Sequence, residues 1–303
     1  MRREEGLFIG RRHILKKHNV GRYLIFAIIL IVASILFPEL GIFTDADDST
    51  PITGDLDIYF LDVDQGDSAF IHTPEGNTIL IDGGEAKSAD TILKFLDEKG
   101  IDRLDIVIAT HAHADHIGGL VKVVEQMDIG AVYMPKATHT TKTFENLVMA
   151  VQAKGLKFKA AYAGAKIPLE DVNAQFVGPI EKDSYEDLNN SSAVLRLVYG
   201  EMGFLFTGDA ETEAEMEMIS SGQNLRAQVL KLGHHGSTTS STEEFLDAVS
   251  PEYGIISCGK DNKYGHPHVE ILERLKDNNI SIYRTDELGT IHIRCDGKKV
   301  EFK

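Results

Sequence analysis

The chain has 303 residues, of which 43% are hydrophobic and 26% are charged, values typical of globular domains that exclude disordered or fibrous sequences. The formal net charge is −16, but residues 1–43 hold seven Lys or Arg and only three Asp or Glu, which leaves 24 basic and 44 acidic side chains in the rest of the chain. Such an acidic body excludes tight, non-specific DNA binding, because that mode requires Lys and Arg to displace counterions from phosphates. We therefore expect no stable nucleic-acid complex.

The amino-terminal segment has the pattern of a membrane anchor or an export signal. Residues 1–22 carry the seven basic side chains, and Tyr23–Phe37 follows without any charge. Further apolar residues up to Phe43 extend this run to a length that spans a bilayer. We predict a cytoplasmic tail at 1–22, a single-pass signal anchor at 23–43 and a polar linker at 44–54, with the body outside the membrane. A cleaved signal peptide, which would give a secreted protein, is the alternative.

The body, residues 55–303, alternates predicted strands with predicted helices. Runs of β-branched and aromatic residues predict strands at 56–63, 68–73, 78–82, 104–110, 130–134, 157–161, 172–178, 193–199, 203–208, 227–232, 252–257, 280–284, 289–295 and 299–302. Helical periodicity predicts helices at Ser88–Lys99, from near Gly118, and at 141–153, 210–220, 242–249 and 267–277. Both halves combine hairpins with helices that can cover a sheet. We therefore predict one α/β domain, a four-layered α/β/β/α sandwich.

Four side chains of metal-binding type follow the buried strand at 104–110. The sequence is His111-Ala-His113-Ala-Asp115-His116. Loops at the carboxyl ends of strands are where α/β folds place their sites, and imidazoles with carboxylates suit Zn²⁺ and its neighbours. The pattern His-x-His-x-Asp-His is the signature of the metallo-β-lactamase superfamily, which this sequence resembles.

The resemblance implies a centre with two divalent metal ions. It assigns His111 and His113 to the first ion, and Asp115 and His116 to the second. The apolar run FLFTGDA ends in Asp209, which matches the Asp that bridges both metals in the superfamily. The same Asp can also cap the helix that follows, and the two roles are compatible.

The run VLKLGHHGST offers two adjacent histidines to close the second site. We assign His235 as the ligand and His234 as a donor that faces the substrate, and the reverse assignment stays open. Superfamily members often have a further His on the first site, but the matching stretch 188–192 has none. That site is therefore poor in nitrogen ligands, so Zn²⁺ and Mn²⁺ both remain candidates.

Several further segments narrow the resemblance. They are LDVDQGDS, NNSSAVLRL, LFTGDAE, LKLGHHGS, ISCGKDNKYGHPH and YRTDELGTI. In this order they are similar to the carboxyl-terminal hydrolase domain of the DNA-internalization competence proteins, over residues 55–303. The amino-terminal portion of that family is a multi-helix membrane channel, where this sequence has one apolar segment. The resemblance therefore implies the hydrolase without DNA transport.

Other polar residues of these segments have expected roles near the metals. His266 in YGHP is a candidate donor to a phosphoryl oxygen. Asp62, Asp64 and Asp67 either hydrogen-bond metal-binding histidines from behind or are surface turn residues. We read the remaining histidines of the body as ordinary surface or strand residues: His72, His139, His268 and His292.

These residues together predict an extracytoplasmic, dinuclear metal-dependent hydrolase. We expect Asp115 or Asp209 to orient a nucleophilic water, and His234 or His266 to stabilise the oxyanion. The competence-like segments favour phosphodiester substrates, in DNA or in a cell-envelope polymer. The alternatives are a β-lactam, amide or thioester hydrolase, and an envelope-anchored binding module without catalysis. The oligomeric state stays open, as does a disulfide between the two cysteines of the body, Cys258 and Cys295.

Overall fold

The computed structural model describes residues 54–136, 139–180 and 185–303. The predicted cytoplasmic tail, the predicted anchor and nearly all of the predicted linker lie outside these residues. Within the described ranges, no helix combines the length and the apolar character needed to cross a bilayer.

The first sheet joins strands from both ends of the body. Its strands are β1 (Leu56–Phe60), β2 (Ala69–His72), β3 (Thr78–Ile81), β4 (Arg103–Ile108), β5 (Asp128–Met134), β6 (Phe158–Ala160), β14 (Ile291–Cys295) and β15 (Val300–Phe302). They lie in the order β15-β14-β1-β2-β3-β4-β5-β6. Neighbours are antiparallel from β15 to β3 and parallel from β3 to β6. The carboxyl ends of β3 to β6 therefore share one edge.

The second sheet has the same mixed design. Its strands are β7 (Lys166–Ile167), β8 (Asn173–Gly178), β9 (Val194–Tyr199), β10 (Met202–Phe206), β11 (Val229–Lys231), β12 (Tyr253–Ile256) and β13 (Ser281–Arg284). They lie in the order β13-β12-β11-β10-β9-β8-β7. Neighbours from β7 to β10 are antiparallel, and those from β10 to β13 are parallel.

Helices cover the outer face of each sheet. They are α1 (Ala89–Glu98), α2 (Ala114–Gln126), α3 (Lys142–Ala153), α4 (Thr212–Ser220), α5 (Glu243–Val249), α6 (Val269–Asp277) and the short α7 (Thr285–Leu288). Single 3₁₀ turns occur at Ala86–Ser88, Leu188–Ser191 and Gly233–Gly236.

The apolar core separates into layers, as the alternation of side chains along β4 shows. Ile106 and Ile108 belong to the central cluster, which contains apolar residues of both sheets. Val107, between them, belongs to the cluster that packs the first sheet against α1, α2 and α3. A third cluster packs the second sheet against α4, α5 and α6. Because successive strand residues face opposite sides, the layers run helix, sheet, sheet, helix, which confirms the predicted two-sheet architecture.

The main difference from the prediction is the start of α2. This helix begins at Ala114, inside the histidine motif, and not near Gly118. Glycines are poor helix formers, but a Cβ on Gly119 would lie only 2.1 Å from the carbonyl oxygen of Gly83. The glycines are therefore needed inside the helix, where they let it approach the loop after β3.

The other differences are small. The strand predicted at 56–63 ends at Phe60, and the short β7 and α7 were not predicted. Cys258 and Cys295 are both free, buried thiols. The Sγ of Cys258 lies 3.3 Å from a carboxylate oxygen of Asp286, whereas that of Cys295 accepts from the backbone N–H of Gly297.

Candidate metal centre

The candidate ligands follow the carboxyl ends of parallel strands in both sheets. His111 follows β4 of the first sheet, while Asp209 and His235 follow β10 and β11 of the second. The rest of the first motif lies at the amino end of α2, in the order His113, Asp115 and His116. His113 is the residue that precedes the helix, and the other two lie in its first turn. Each sheet thus contributes one side of a shared centre.

The carboxylate of Asp209 lies at the middle of this group. Its Oδ2 is 3.1 Å from Nε2 of His116, 3.5 Å from Nε2 of His235 and 3.9 Å from Nε2 of His111. Asp115 reaches the same place from α2, with Oδ2 3.6 Å from Nε2 of His235. The three imidazoles and Asp209 are almost completely buried, whereas Asp115 is partly exposed.

His113 stands at the exposed side of the group. Its Nδ1 lies 3.0 Å from Nε2 of His111, and its side chain lines the cavity above the centre. Five of the six residues that the sequence assigned to the metals fall in groups of close ligand atoms, and His113 lies outside these groups beside His111. His235, rather than His234, lies among the carboxylates.

The donor set fits divalent cations. Within the described residues, His116 Nε2, His235 Nε2 and Asp209 Oδ1 are buried without a hydrogen-bond partner. An unpaired buried polar atom costs about 1–3 kcal/mol. Both imidazole nitrogens lie within 3.5 Å of the Asp209 carboxylate. Imidazole nitrogens and carboxylate oxygens are ligands that Zn²⁺ and Mn²⁺ accept.

Hydrogen bonds from behind fix two of the imidazoles. His116 Nδ1 lies 2.9 Å from Oδ2 of Asp82, and the backbone N–H of Thr110 donates to Oδ1 of the same carboxylate at 2.8 Å. His235 Nδ1 lies 2.9 Å from the carbonyl oxygen of Ser257. Protons on these Nδ1 atoms leave the Nε2 lone pairs facing the centre. The sequence reasoning missed Asp82, although its position at the end of the parallel strand β3 was a usable signal.

Of the three Asp residues expected near the metals, only Asp67 lies there. Its Oδ1 is 3.2 Å from His235 Nδ1, and its Oδ2 pairs with the buried ammonium of Lys231. Burial opposes ionisation of Asp67, but Lys231 outweighs burial, so the pKa of this carboxyl is lowered. Asp62 and Asp64 are exposed residues of the preceding turn.

Charges within the centre stabilise one another. Burial opposes protonation of His116, but the carboxylates of Asp209 and Asp82 outweigh it and raise its pKa well above the usual value. Burial likewise opposes ionisation of Asp209, and the imidazoles of His116 and His235 reverse that effect, so its pKa is lowered. Asp209 therefore stays ionised and attracts cations, whereas burial raises the pKa of Asp82.

A cavity of about 290 Å³ opens above the centre. Its lining residues are Gln65, His113, Ala114, Asp115, Asn189, Asp209, His234, His235, Tyr264 and His266. His234 Nδ1 lies 2.7 Å from Oε1 of Glu211, which holds the imidazole from behind. Its φ of 46° is in the left-handed region, as is the φ of 55° at His235. The unusual turn gives two adjacent histidines separate positions, one in the wall and one in the centre.

His266 forms another part of the wall. Its ring stacks on Tyr264 with centroids 5.6 Å apart and lies 5.3 Å from the ring of His234. Burial first, and then the nearby imidazoles of His235 and His234, lower the pKa of His266 to about 4. It is therefore a neutral imidazole near pH 7, and its Nδ1 is buried without a hydrogen-bond partner among the described residues.

Two histidines read as ordinary residues also lie beside the site. The His139 ring is 6.2 Å from that of His113, and the His268 ring is 4.9 Å from that of His266. His292 instead pairs with Asp57, with Nε2 and Oδ1 2.6 Å apart. The sequence reasoning also missed Gln65, Asn189 and Tyr264, which lie in the quoted segments but have no partner pattern of their own.

The fold and the site define a class, the metal-dependent hydrolases with two packed sheets between layers of helices. The chain belongs to the metallo-β-lactamase superfamily, whose family model matches residues 61–260.

Curated relatives confirm the narrower resemblance to competence proteins. The chain is 34% identical over 258 residues to ComE operon protein 3 of Bacillus subtilis (strain 168), an alignment that covers 80% of this chain and 33% of that protein. It is 34% identical over 232 residues to Competence protein ComA of Neisseria gonorrhoeae, with 76% and 31% covered. The chain spans about a third of the length of these relatives.

A solved structure supports the fold. It is that of Igni18, a novel metallo hydrolase from the hyperthermophilic archaeon Ignicoccus hospitalis KIN4/I. The TM-score is 0.51 at 16% sequence identity, and the match covers 78% of this chain and 98% of that one. At this identity, the match shows a shared fold only.

Proposed function

We propose that the protein is a dinuclear metal-dependent phosphodiesterase that acts outside the cytoplasm on DNA or on a cell-envelope polymer. The observation that carries this proposal is a pair of overlapping ligand groups that share His116. His111, His116 and Asp209 form one group, and Asp115, His116 and His235 form another. In each group the ligand atoms lie within 4.8 Å of one another.

The charge of the centre supports two ions. Asp67, Asp82, Asp115 and Asp209 contribute four negative charges when ionised, and Lys231 contributes one positive charge. With neutral imidazoles, a single divalent cation leaves the centre negative. The net charge of the ionised side chains is −3, so one divalent ion leaves −1 and two bring it to +1. Zn²⁺ and Mn²⁺ both suit the ligand set.

The side chains around the centre have roles in hydrolysis. Bound divalent ions would supply Lewis-acid activation of water and of a phosphoryl oxygen. Asp209 holds the centre together between the two sheets, and Asp115, which lines the cavity, would orient the attacking water. His234, held by Glu211, and the neutral His266 donate hydrogen bonds to the oxygens on which charge develops.

Two observations favour a phosphodiester over a β-lactam, amide or thioester. A phosphodiester presents non-bridging oxygens to several donors at once, and the cavity wall offers donors on separate elements at His234, His266 and Asn189. The chain is also 34% identical to two competence proteins. The net charge of −16 limits affinity for a long polyanion, so contacts close to the metals must supply most of the binding.

A substrate panel tests this proposal. Bis(p-nitrophenyl) phosphate, single-stranded DNA, nitrocefin and a thioester are each assayed with Zn²⁺ and with Mn²⁺, and with EDTA as the control. The proposal predicts metal-dependent cleavage of both phosphodiesters at a higher kcat/KM than that of nitrocefin or the thioester. Preferred hydrolysis of nitrocefin or the thioester would contradict the proposal and support a β-lactam, amide or thioester hydrolase. No hydrolysis of any substrate would support a binding module.

The location is a further part of the proposal and depends on the sequence pattern of residues 1–43. The basic flank followed by the uncharged run Tyr23–Phe37 favours a membrane tether with the body outside. Protease added to intact cells should then digest the body. Survival of the body until lysis would contradict this topology, and a shortened form in the medium would identify a cleaved signal peptide.

A further inference from the structure

A second cavity, of about 300 Å³, lies between α3, β5 and β6. We call it the edge cavity, and its lining residues are Met134, Pro135, Lys136, Phe144, Val148, Phe158, Lys159, Ala160 and Tyr162. It shares no lining residue with the cavity above the metal centre.

The edge cavity lies at the same edge of the first sheet as the strand end that precedes His111. Strands β4, β5 and β6 are parallel neighbours, so the residues that follow them lie side by side. Hydrogen bonds continue past the strand ends, from the N–H of Ala109 to the carbonyl of Tyr133 and from that of Ala161 to the carbonyl of Met134. The edge cavity and the loop that carries His111 therefore lie along the same edge of the first sheet.

The walls of the edge cavity suit a flat ring. Phe144, Phe158 and Tyr162 supply three aromatic side chains, each partly exposed. The backbone N–H of Lys136 donates a hydrogen bond to the hydroxyl oxygen of Tyr162, with the nitrogen and oxygen 2.6 Å apart. This bond fixes the position of the ring. Aromatic side chains that are held in place can stack on nucleobases without regard to sequence.

The charge around the edge cavity is opposite to that of the whole chain. Residues 136–169 contain six Lys and a single acidic residue, Glu145, in a chain whose net charge is −16. Lys136 and Lys159 line the cavity, and in the part of the chain that the structure describes neither ammonium has a carboxylate within 4.0 Å. The Lys159 ammonium lies over the ring of Tyr133, 5.4 Å from its centroid. Cations beside an aromatic wall are the pattern of sites for single-stranded nucleic acids.

We propose that the edge cavity binds a nucleobase of a single-stranded nucleic acid whose scissile phosphate lies at the metal centre. This inference rests on the proposed phosphodiesterase function and selects nucleic acid over an envelope polymer. A polyol phosphate chain has charge but no flat apolar ring, so it would leave the aromatic walls without a partner. The contact is local and sensitive to salt, which agrees with the acidity of the rest of the body.

The first test measures binding of a labelled dT oligonucleotide to the full chain in EDTA, where no cleavage occurs. Fluorescence anisotropy should show that Tyr162→Ala weakens binding roughly 5- to 100-fold, the range expected for loss of one stacked base. Tyr162→Phe keeps the ring and should retain most of the affinity. Thermal unfolding of both variants controls for loss of structure.

An oligonucleotide with abasic positions and the Tyr162→Ala variant together form a double-mutant cycle. If a base stacks on Tyr162, then removing the base weakens binding to the unchanged protein but has much less effect on the variant, because the contact is already lost. Additive effects would overturn the assignment of this cavity to a nucleobase. Equal competition by poly(glycerol phosphate) and by oligo-dT would likewise overturn it, in favour of an envelope polymer.

The second test uses salt. Lys136→Ala removes one phosphate contact and should reduce the slope of log K against log salt by about 0.7, the value for single strands. Lys154→Ala is the matched control, because its ammonium donates to the carbonyl of Met127 at the opposite end of β5. Equal slopes for both variants would overturn the proposal. Cleavage of bis(p-nitrophenyl) phosphate by the unchanged protein separately tests the phosphodiesterase function. The phosphodiesterase function and the nucleobase site can therefore fail independently.

Discussion

The two sheets contribute to the metal centre in different ways. The first sheet supplies His111, His113, Asp115 and His116 from one hexapeptide at the end of a single strand. The second sheet supplies Asp209 and His235 from two loops that follow neighbouring parallel strands. The four ligands of the hexapeptide, the first set, are therefore preorganised by one turn and one helix cap. Asp209 and His235, the second set, depend on correct packing of the whole second sheet.

Binding of both ions depends on the contact between the ligands of the two sheets. Asp209 Oδ2 lies within 3.9 Å of histidines from both sets, so this side chain joins the two halves. Losing a residue that joins both sets should affect both ions, while losing a residue on one side should affect fewer. The following variants test this difference.

The largest effect is expected for Asp209→Ala. Because its carboxylate lies between ligands of both sheets, its removal should release both metal ions and abolish hydrolysis. Metal analysis of the purified protein gives the number of ions per chain. The exposed Asp62→Ala is the matched control and should keep the full metal content. Two ions retained in Asp209→Ala would show that the halves are not joined at this residue.

A smaller effect is expected for His235→Ala, and a different one for its neighbour. The Nε2 of His235 faces Asp209 and Asp115, so its loss should remove one of two ions. His234 is engaged by Glu211, so His234→Ala should keep both ions and lower kcat only. The reverse pattern of metal content would exchange the roles of the two histidines.

The smallest effect on metal binding is expected for Asp82→Asn. The amide keeps the acceptor for the N–H of Thr110 but removes the charge that holds the Nδ1 proton of His116. Metal affinity should fall about 10- to 100-fold, as for other groups that orient metal-binding histidines. Competition with a chromophoric chelator measures this change. An unchanged affinity would show that the first set needs no support from β3.

The two sets of ligands also differ in how far the sequence alone could predict them. Residue spacing alone identified the hexapeptide, because its donors are local in the chain. Asp209 and His235 came from the superfamily resemblance, since nothing local pairs a Gly-Asp with a His-His 25 residues later. The two-sheet fold was predictable from alternating strands and helices. Because Gly118 and Gly119 lie inside α2, the start of this helix was predicted one turn too late.

Side chains that act through contacts between distant segments were not predictable. Asp82 and His116 meet because β3 and β4 are parallel neighbours, and Lys231 meets Asp67 across the two sheets. Lys136 and Tyr162 likewise meet only because β5 and β6 lie side by side. Such contacts depend on strand order, which a single sequence does not specify.

The most direct test of phosphodiesterase chemistry uses His266→Ala, because this neutral imidazole lies in the cavity wall and contributes no ligand atom to the metal groups. The measurement compares kcat/KM of the unchanged protein and the variant for bis(p-nitrophenyl) phosphate and for nitrocefin, with His72→Ala as a control on β2. We predict a roughly ten- to a thousand-fold loss toward the phosphodiester at unchanged metal content, the size expected for one oxyanion donor. Undiminished phosphodiester cleavage by His266→Ala, together with faster hydrolysis of nitrocefin than of any phosphodiester, would contradict the account.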